Sequence, residues 1–372
     1  MADGAKPGRT ALGLMCGLFA FGWGCGAAPT VPIEVEPEPP RDTAPVQGLE
    51  MGRLFRLVDA LEAGRHGPVH GLIIQRRGEV VVEEYFRGHK DTSLHSVQSV
   101  TKSYASALIG IAIANGDLQG VEEEVLDFFP QWRDELATDP RRAAMQLEDV
   151  LTMRTGNDYH EEGADAPHWA LNRLATGWDY FWLTRPMVRD PGSFWQYDSG
   201  GVIALSSILK ERTGMHADEY ADRYLFGPLG VANRTWFAND EGHPHTGGGL
   251  SMTLSDMVKL GQLYLQGGEW EGEQIVPRAW VDASTQRQVD FGLPASSSRR
   301  LRWYGYLWWI MSPDPAGERV VDMYAAVGAG GQFVFVIPEH DMVVGVTSSV
   351  RDGDQWAPVT WLYSQILPAV IE

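Results

Sequence analysis

Cysteine is nearly missing from this 372-residue chain: the two present, Cys16 and Cys25, lie at its N-terminal end. Nothing beyond residue 25 can therefore form a disulfide, and a disulfide-stapled scaffold is excluded. Long apolar runs are also scarce. The run near the N-terminus, Ala11 to Trp23, falls short of the roughly 20 residues a bilayer requires, so a multi-span membrane protein is excluded. Positive charge is in deficit, with 30 Lys and Arg against 49 Asp and Glu, a net charge of −19. The densest basic pairs, Arg76-Arg77, Arg141-Arg142 and Arg299-Arg300, are isolated, so nucleic acid is not expected as a partner. No repeat of fixed period occurs.

Hydrophobic residues make up 44% of the chain, enough to bury a full core, and the 42 glycines and 14 tryptophans point to a loop-rich enzyme with aromatic surfaces. Lys6 and Arg9 ahead of Ala11 to Trp23 read as an export signal over residues 1–24. Cys25 after Gly24 resembles the junction of a bacterial lipoprotein leader, in which that cysteine carries the lipid. Gly22-Trp23 departs from that signal, and the alternative is an ordinary secretory leader. The expected location is thus periplasmic, membrane-anchored through Cys25, or secreted. Residues 25–47, rich in Pro and Glu, read as an extended tether.

From residue 48 the pattern is globular. Leu54, Leu57, Val58 and Leu61 keep helical spacing, and Gly71 to Gln75 and Val80 to Phe86 form a hairpin signal. A second β-rich block closes the chain at Tyr324 to Val327, Phe333 to Ile337 and Met342 to Thr347, followed by a helix at Trp356 to Ile366. Helical and loop patterns lie between, including Ser99–Asn115, Gly201–Thr213 and Ser255–Gln266. The expected fold is α+β: one antiparallel sheet built from both termini, flanked by helices, with an inserted mostly helical region in a single domain over 48–372.

Ser99-Val100-Thr101-Lys102 opens the apolar run Tyr104 to Ile113. At i and i+3 the hydroxyl and the ammonium share a helical face, and a serine at a helix N-terminus sits near unpaired amides that stabilise an oxyanion. Burial can depress a lysine from about 10.4 by as much as roughly 3–5 units, enough to make it a base for that serine. The four letters alone are more often a helix cap, and Ser207-Ile208-Leu209-Lys210 repeats them inside a helix, where its serine lacks free amides. Two further segments add weight. Pro191 to Gly200 places Tyr197 and Ser199 on a turn before a helix, where the ammonium can lower the phenol and draw it into a proton shuttle. Ala326 to Gln332 carries glycines that admit a ligand close to backbone. The aromatic stretch Trp169 to Trp182 is either core packing or the wall of an acyl pocket. His160, Glu161, Glu162 and Asp165, and His243 with His245, lack recognised ligand spacing, so no metal is expected. No Gly-Lys-Ser/Thr follows Gly247–Gly249, so it is no phosphate loop, and no cofactor is expected.

Ser-x-x-Lys, Tyr-x-Ser about a hundred residues later and a glycine-rich late strand together resemble the serine β-lactamase and penicillin-binding-protein superfamily. Leu151-Thr152-Met153-Arg154-Thr155-Gly156 is similar to its Leu-Thr-x-x-Ser-Gly turn, and the segment from Gly248 to Met257 to its Gly-Gly-Leu…Asp-Met helix start. Tyr304 to Trp309 and Gly328-x-Gly-Gly-Gln332 are similar to the branch of class C-like esterases and 6-aminohexanoate-dimer hydrolases. The resemblance implies Ser99 as acylated nucleophile, Lys102 and Tyr197 as general base and acid, and the backbone N–H groups of Ser99 and Ala329 as oxyanion hole. Ser199 stands where the superfamily has the Asn of Tyr-x-Asn, and Ser199, Gly328, Gly330 and Trp169 are the expected substrate contacts.

Departures bear on the substrate. With Gly328 aligned to the superfamily's late-strand glycine, Ala326-Val327 replaces the Lys-Thr or His-Thr that holds a β-lactam carboxylate, and no class A-type deacylating Glu can be assigned. The expectation is a serine hydrolase acting on small ester or amide molecules through an acyl-enzyme. The alternatives are a D-alanyl-D-alanine carboxypeptidase or β-lactamase, and a non-catalytic binding or sensor module.

Overall fold

The computed structural model describes residues 44–292, 301–311, 322–351 and 354–371. The leader, Cys25 and the tether up to residue 43 lie outside the described residues. The stretch from Thr43 to Glu372 forms one compact unit. Leu49, wholly buried, pairs its backbone with Val370, so the first and last described segments lie side by side.

The chain enters through helix α1 (Met51–Glu62), whose buried Leu54, Leu57, Val58 and Leu61 lie on one face. Strands β1 (Val69–Arg76) and β2 (Glu79–Tyr85) make the expected hairpin, and β3 (His95–Ser96) leads into helix α2 (Thr101–Asn115). After short helical pieces come α3 (Ser199–Thr213), β4 (Arg234–Trp236), β5 (Leu250–Met252) and α4 (Leu254–Leu265). The chain closes with β6 (Val289–Asp290), β7 (Leu301–Tyr304), β8 (Trp309–Met311), β9 (Tyr324–Gly328), β10 (Gln332–Ile337), β11 (Met342–Ser348) and the short helix α5 (Ala357–Trp361).

The main sheet has eight strands in the order β2-β1-β11-β10-β9-β8-β7-β6, with neighbours antiparallel. One strand in from the β2 edge, β1 pairs with β11, Ile73 facing Gly345, so the two ends of the chain do build one sheet. Both faces are covered. Val344 and Val346 point to the side packed by α1 and Trp361, while Val343 joins Val334 and Val336 under α2 and α4. That two-sided burial explains why Met342 to Thr347 reads as a continuous apolar run rather than an alternation. Gly345 lets α4 lie directly on the sheet: a Cβ there would stand 2.1 Å from Val258 Cγ1.

The fold is α+β as expected, with two differences of detail. Strands β3 to β8 are not in the sequence expectation; each is two to four residues long, too short for alternation to show. The closing helix is a short α-helix followed by a π-turn over Leu362–Ile366, not one regular helix. Helix α2 is buried almost all round from Thr101 to Ala112, which puts its N-terminus inside the molecule, between the sheet and the helical region.

Candidate active site

Ser99 sits in a single 3₁₀ turn, Gln98–Val100, that runs straight into α2. Gln98 adopts left-handed backbone at φ 51°, a costly conformation for a residue with a side chain, and this bends the chain from β3 into the turn. The Thr101 hydroxyl donates to the Gln98 carbonyl at 2.6 Å and accepts from the Leu250 N–H at 3.3 Å, pinning the turn to β5. Across from it Gly328 ends β9 so close that a Cβ would lie 2.3 Å from the Val97 carbonyl oxygen. Only glycine lets the late strand reach the serine turn.

Lys102 lies one helical turn on. Its Nζ is 3.0 Å from Ser99 Oγ, donates to the Gly247 carbonyl at 2.5 Å and stands 4.8 Å from the centre of the Tyr197 ring. The side chain is 1% exposed. Burial lowers its pKa to about 8, against the pull of the Glu161 and Asp198 carboxylates, which favour the charged form. The Tyr197 ring stacks on Trp309 at 5.7 Å, and its phenol is close enough to Ser99 for the serine to favour its charged form. The ammonium does not lower this phenol, contrary to the sequence expectation. Enclosure and then the Glu161 charge raise it, outweighing the opposite effect of Ser99, so at neutral pH Tyr197 is a proton donor.

Three residues missed by sequence reasoning hold these groups in place. Asp198, 2% exposed, accepts from the Gly201 N–H at 2.9 Å as the cap of α3, from Thr155 Oγ1 at 2.8 Å and from Trp182 Nε1 at 3.0 Å, with burial raising its carboxyl to about 6. That cap fixes the residue next to Tyr197. Glu161 Oε1 accepts from the Ser199 N–H at 3.0 Å and acts electrostatically on Lys102, Tyr197 and Asp198. Gly247 supplies the carbonyl that aims Lys102. The Asp198 cap alone had a local sign, an acidic residue directly before an apolar helix.

Ser99, Tyr197, Gly328 and Ala329 all line one cavity of about 790 Å³. Its walls are aromatic: Phe194, Trp195, Phe291, Trp309, Phe333 and Trp356. Among the described residues that line it, Glu161 and Glu162 alone carry formal charge, and there is no Lys or Arg. Val327 faces the cavity, whereas Ala326 is packed into the core beneath α2. Other candidates fall elsewhere. Ser199 is buried as the first residue of α3, with its N–H turned to Glu161. Gly330 lines a neighbouring pocket and donates its N–H to Gln355 Oε1 at 3.0 Å. Trp169 does not reach the cavity wall; 46% exposed, it donates from Nε1 to the Gly163 carbonyl, while Trp178 and Trp182 are core. The second Ser-x-x-Lys is separate too, for Lys210 ties off the end of α3 on the Gly214 carbonyl. Among the described residues one group has three neighbouring metal-ligating side chains, His70, His89 and His95, which spacing did not reveal.

The chain is similar to known proteins over most of its length. The Beta-lactamase family model matches residues 54–364. The 6-aminohexanoate-dimer hydrolase of Paenarthrobacter ureafaciens is 24% identical over 299 residues, covering 76% of this chain and 73% of that protein. Among solved structures, EstCE1, a hydrolase with promiscuous acyltransferase activity, superposes with a TM-score of 0.68 at 16% identity, covering 86% of this chain and 98% of that one. The octameric penicillin-binding protein homologue from Pyrococcus abyssi gives 0.68 at 18% identity, over 86% and 78% of the two chains. The chain belongs to the Beta-lactamase family, and is a serine hydrolase within it.

Proposed function

We propose that this is an exported serine hydrolase that works through an acyl-enzyme on carboxylic esters or small amides. The observation that carries the reading is the pairing of Ser99 Oγ, 3.0 Å away, with a buried lysine whose pKa falls to about 8, at the floor of a cavity large enough for a small molecule. Neutral Lys102 takes the Ser99 proton as Oγ attacks the substrate carbonyl carbon. The oxyanion is held by the amides of Ser99 and Ala329. Tyr197 gives its phenolic proton to the departing oxygen or nitrogen and is reprotonated from Lys102, which becomes a base again for the water that releases the acyl group. No step needs a cofactor.

Esters and amides are favoured over β-lactams and D-alanyl-D-alanine peptides by the wall chemistry. A substrate carboxylate would meet Glu161 and Glu162 and no cation among the described lining residues. The names of the curated relative, 6-aminohexanoate-dimer hydrolase, and of EstCE1, a hydrolase with promiscuous acyltransferase activity, support a substrate other than a β-lactam. Export rests on the leader read in residues 1–24, with membrane attachment through Cys25 in the lipidated case.

A fluorophosphonate probe tests the nucleophile: it should label wild type and not Ser99→Ala, and equal labelling of both overturns the assignment. Turnover of short-chain p-nitrophenyl esters and amide oligomers, each against Ser99→Ala, ranks the substrates; no turnover above that background favours a binding or sensor module. Loss of membrane-fraction protein in Cys25→Ala, with export retained, tests the anchor.

A further inference from the structure

Behind the serine turn, on the far side of Ala329 and Gly330, lies a second pocket of about 410 Å³ whose wall includes His70, His95, Gln98, Ser349 and Arg351. His70 on β1 and His95 on β3 line it, and a third histidine from a separate segment, His89 after β2, stacks on His70 beside them. The convergence is built into the sheet. His70 is the extra residue of a β-bulge where the pairing of β1 with β11 slips between Val69 and Gly71, the kind of irregularity that re-aims a side chain.

The ring nitrogens are arranged awkwardly for imidazoles alone. His70 Nδ1 and His95 Nδ1 face each other at 3.5 Å, too long for a good hydrogen bond, and His95, 7% exposed, has no partner for its Nε2. A tetrahedral ion with bonds of about 2.0–2.1 Å to two nitrogens holds them roughly 3.3 Å apart, close to what is seen. His70 Nε2 lies 2.9 Å from Ser349 Oγ, and donation of that N–H to the hydroxyl leaves Nδ1 as the free lone pair, the usual outer contact of a metal-bound histidine.

We infer that His70, His89 and His95 form a site for one divalent transition-metal ion, of which Zn²⁺ is the best chemical match, with water or hydroxide from the pocket as the fourth ligand. Imidazole donors select this class over Mg²⁺ or Ca²⁺. His89 now stacks on His70 at 3.9 Å and 18°, so its ring turns out of the stack to ligate; it is partly exposed on a loop and has room to do so. The Arg351 side of the pocket suits an anionic fourth ligand. Because His95 lies three residues before Gln98, the ion braces the strand that delivers Ser99 and takes no part in the proton transfers.

The test is calorimetric titration of the purified chain with Zn²⁺ alone in a non-coordinating buffer, with Co²⁺ absorption as a second readout. One equivalent should bind to wild type, with tetrahedral ligand-field bands for Co²⁺. His70→Ala and His89→Ala, both at partly exposed positions and checked for folding by circular dichroism, should each weaken it by at least about tenfold. His216→Ala, which breaks the separate His216–His243 ring pair, should leave it unchanged. Absence of a one-equivalent site, or binding that survives in both of the first two variants, overturns the inference.

Discussion

Lys102 Nζ donates to the carbonyl oxygen of Gly247 at 2.5 Å, across 145 residues of sequence, and that contact aims the ammonium at Ser99. With one proton committed to the carbonyl and the side chain 1% exposed, the amine has few orientations open to it, and Ser99 Oγ occupies one of them. The first expectation follows. Ser99→Ala and Lys102→Ala should each lose about 10⁴-fold or more in kcat, and the double variant should be no worse than either single, because nucleophile and base act as a unit. Steady-state kinetics on one ester for the three variants checks this; additive losses would separate the two residues.

The pH profile has a definite sign. Lys102 must be neutral to take the proton, and burial brings it from 10.5 to about 8. The rate constant kcat/KM should therefore climb about tenfold per pH unit below 8 and level off above it. Glu161 favours the ammonium form, so Glu161→Gln, which keeps an oxygen for the Ser199 N–H, should move that limb to lower pH. A limb that stays in place shows that another group governs it.

Tyr197 is separated from Lys102 by the leaving group. Tyr197→Phe keeps the ring on Trp309 and removes only the hydroxyl. Amide hydrolysis, in which the departing nitrogen must be protonated, should fall by about 10² to 10⁴ in kcat. Hydrolysis of a p-nitrophenyl ester should fall far less, since nitrophenolate leaves without a proton. Equal losses on both substrates would assign Tyr197 to the attack step instead.

How much of this was legible follows from sequence distance. Ser99 and Lys102 share one helical turn, so their chemistry shows in four letters; Tyr197 and Gly328 show through turn and glycine patterns tied to a family resemblance. The hairpin and the late strands were readable because their side-chain pattern matches their burial. Glu161 and Gly247 were not, since nothing local distinguishes Glu161 from Glu162 or Gly247 from its neighbouring glycines; only the packed fold brings them to Lys102. The same reason hid the aromatic wall. Trp169 was the tryptophan chosen from the sequence, and the fold instead turns Trp195, Trp309 and Trp356 inward from three distant segments.

Gly328 offers a structural test of the oxyanion side. A Cβ there meets the Val97 carbonyl oxygen at 2.3 Å and Gln98 Cβ at 3.1 Å, and backbone cannot swing aside as a side chain can. Gly328→Ala should cost about 1–3 kcal/mol of stability and lower kcat more than it raises KM, because the serine turn and the late strand are forced apart. Thermal unfolding with single-substrate kinetics reads both; an unchanged kcat would mean that the strand is not part of the oxyanion side.

Charge on the cavity wall decides the last expectation. A penicillin or cephalosporin brings a carboxylate close to the bond that Ser99 must attack, and the late strand presents Val327 to the cavity with Ala326 turned into the core. Neither can hold an anion, and Glu161 and Glu162 repel one. Nitrocefin should therefore acylate Ser99 at least about 10³-fold more slowly, in kcat/KM, than a neutral p-nitrophenyl ester. Neutralising the wall with Glu162→Gln should narrow that gap, because it removes repulsion from the anionic substrate and leaves the neutral one unaffected. If nitrocefin reacts as fast as the ester in wild type, the carboxylate finds a cation elsewhere and the ester preference fails; if the gap stays fixed in the variant, shape rather than charge excludes the β-lactam.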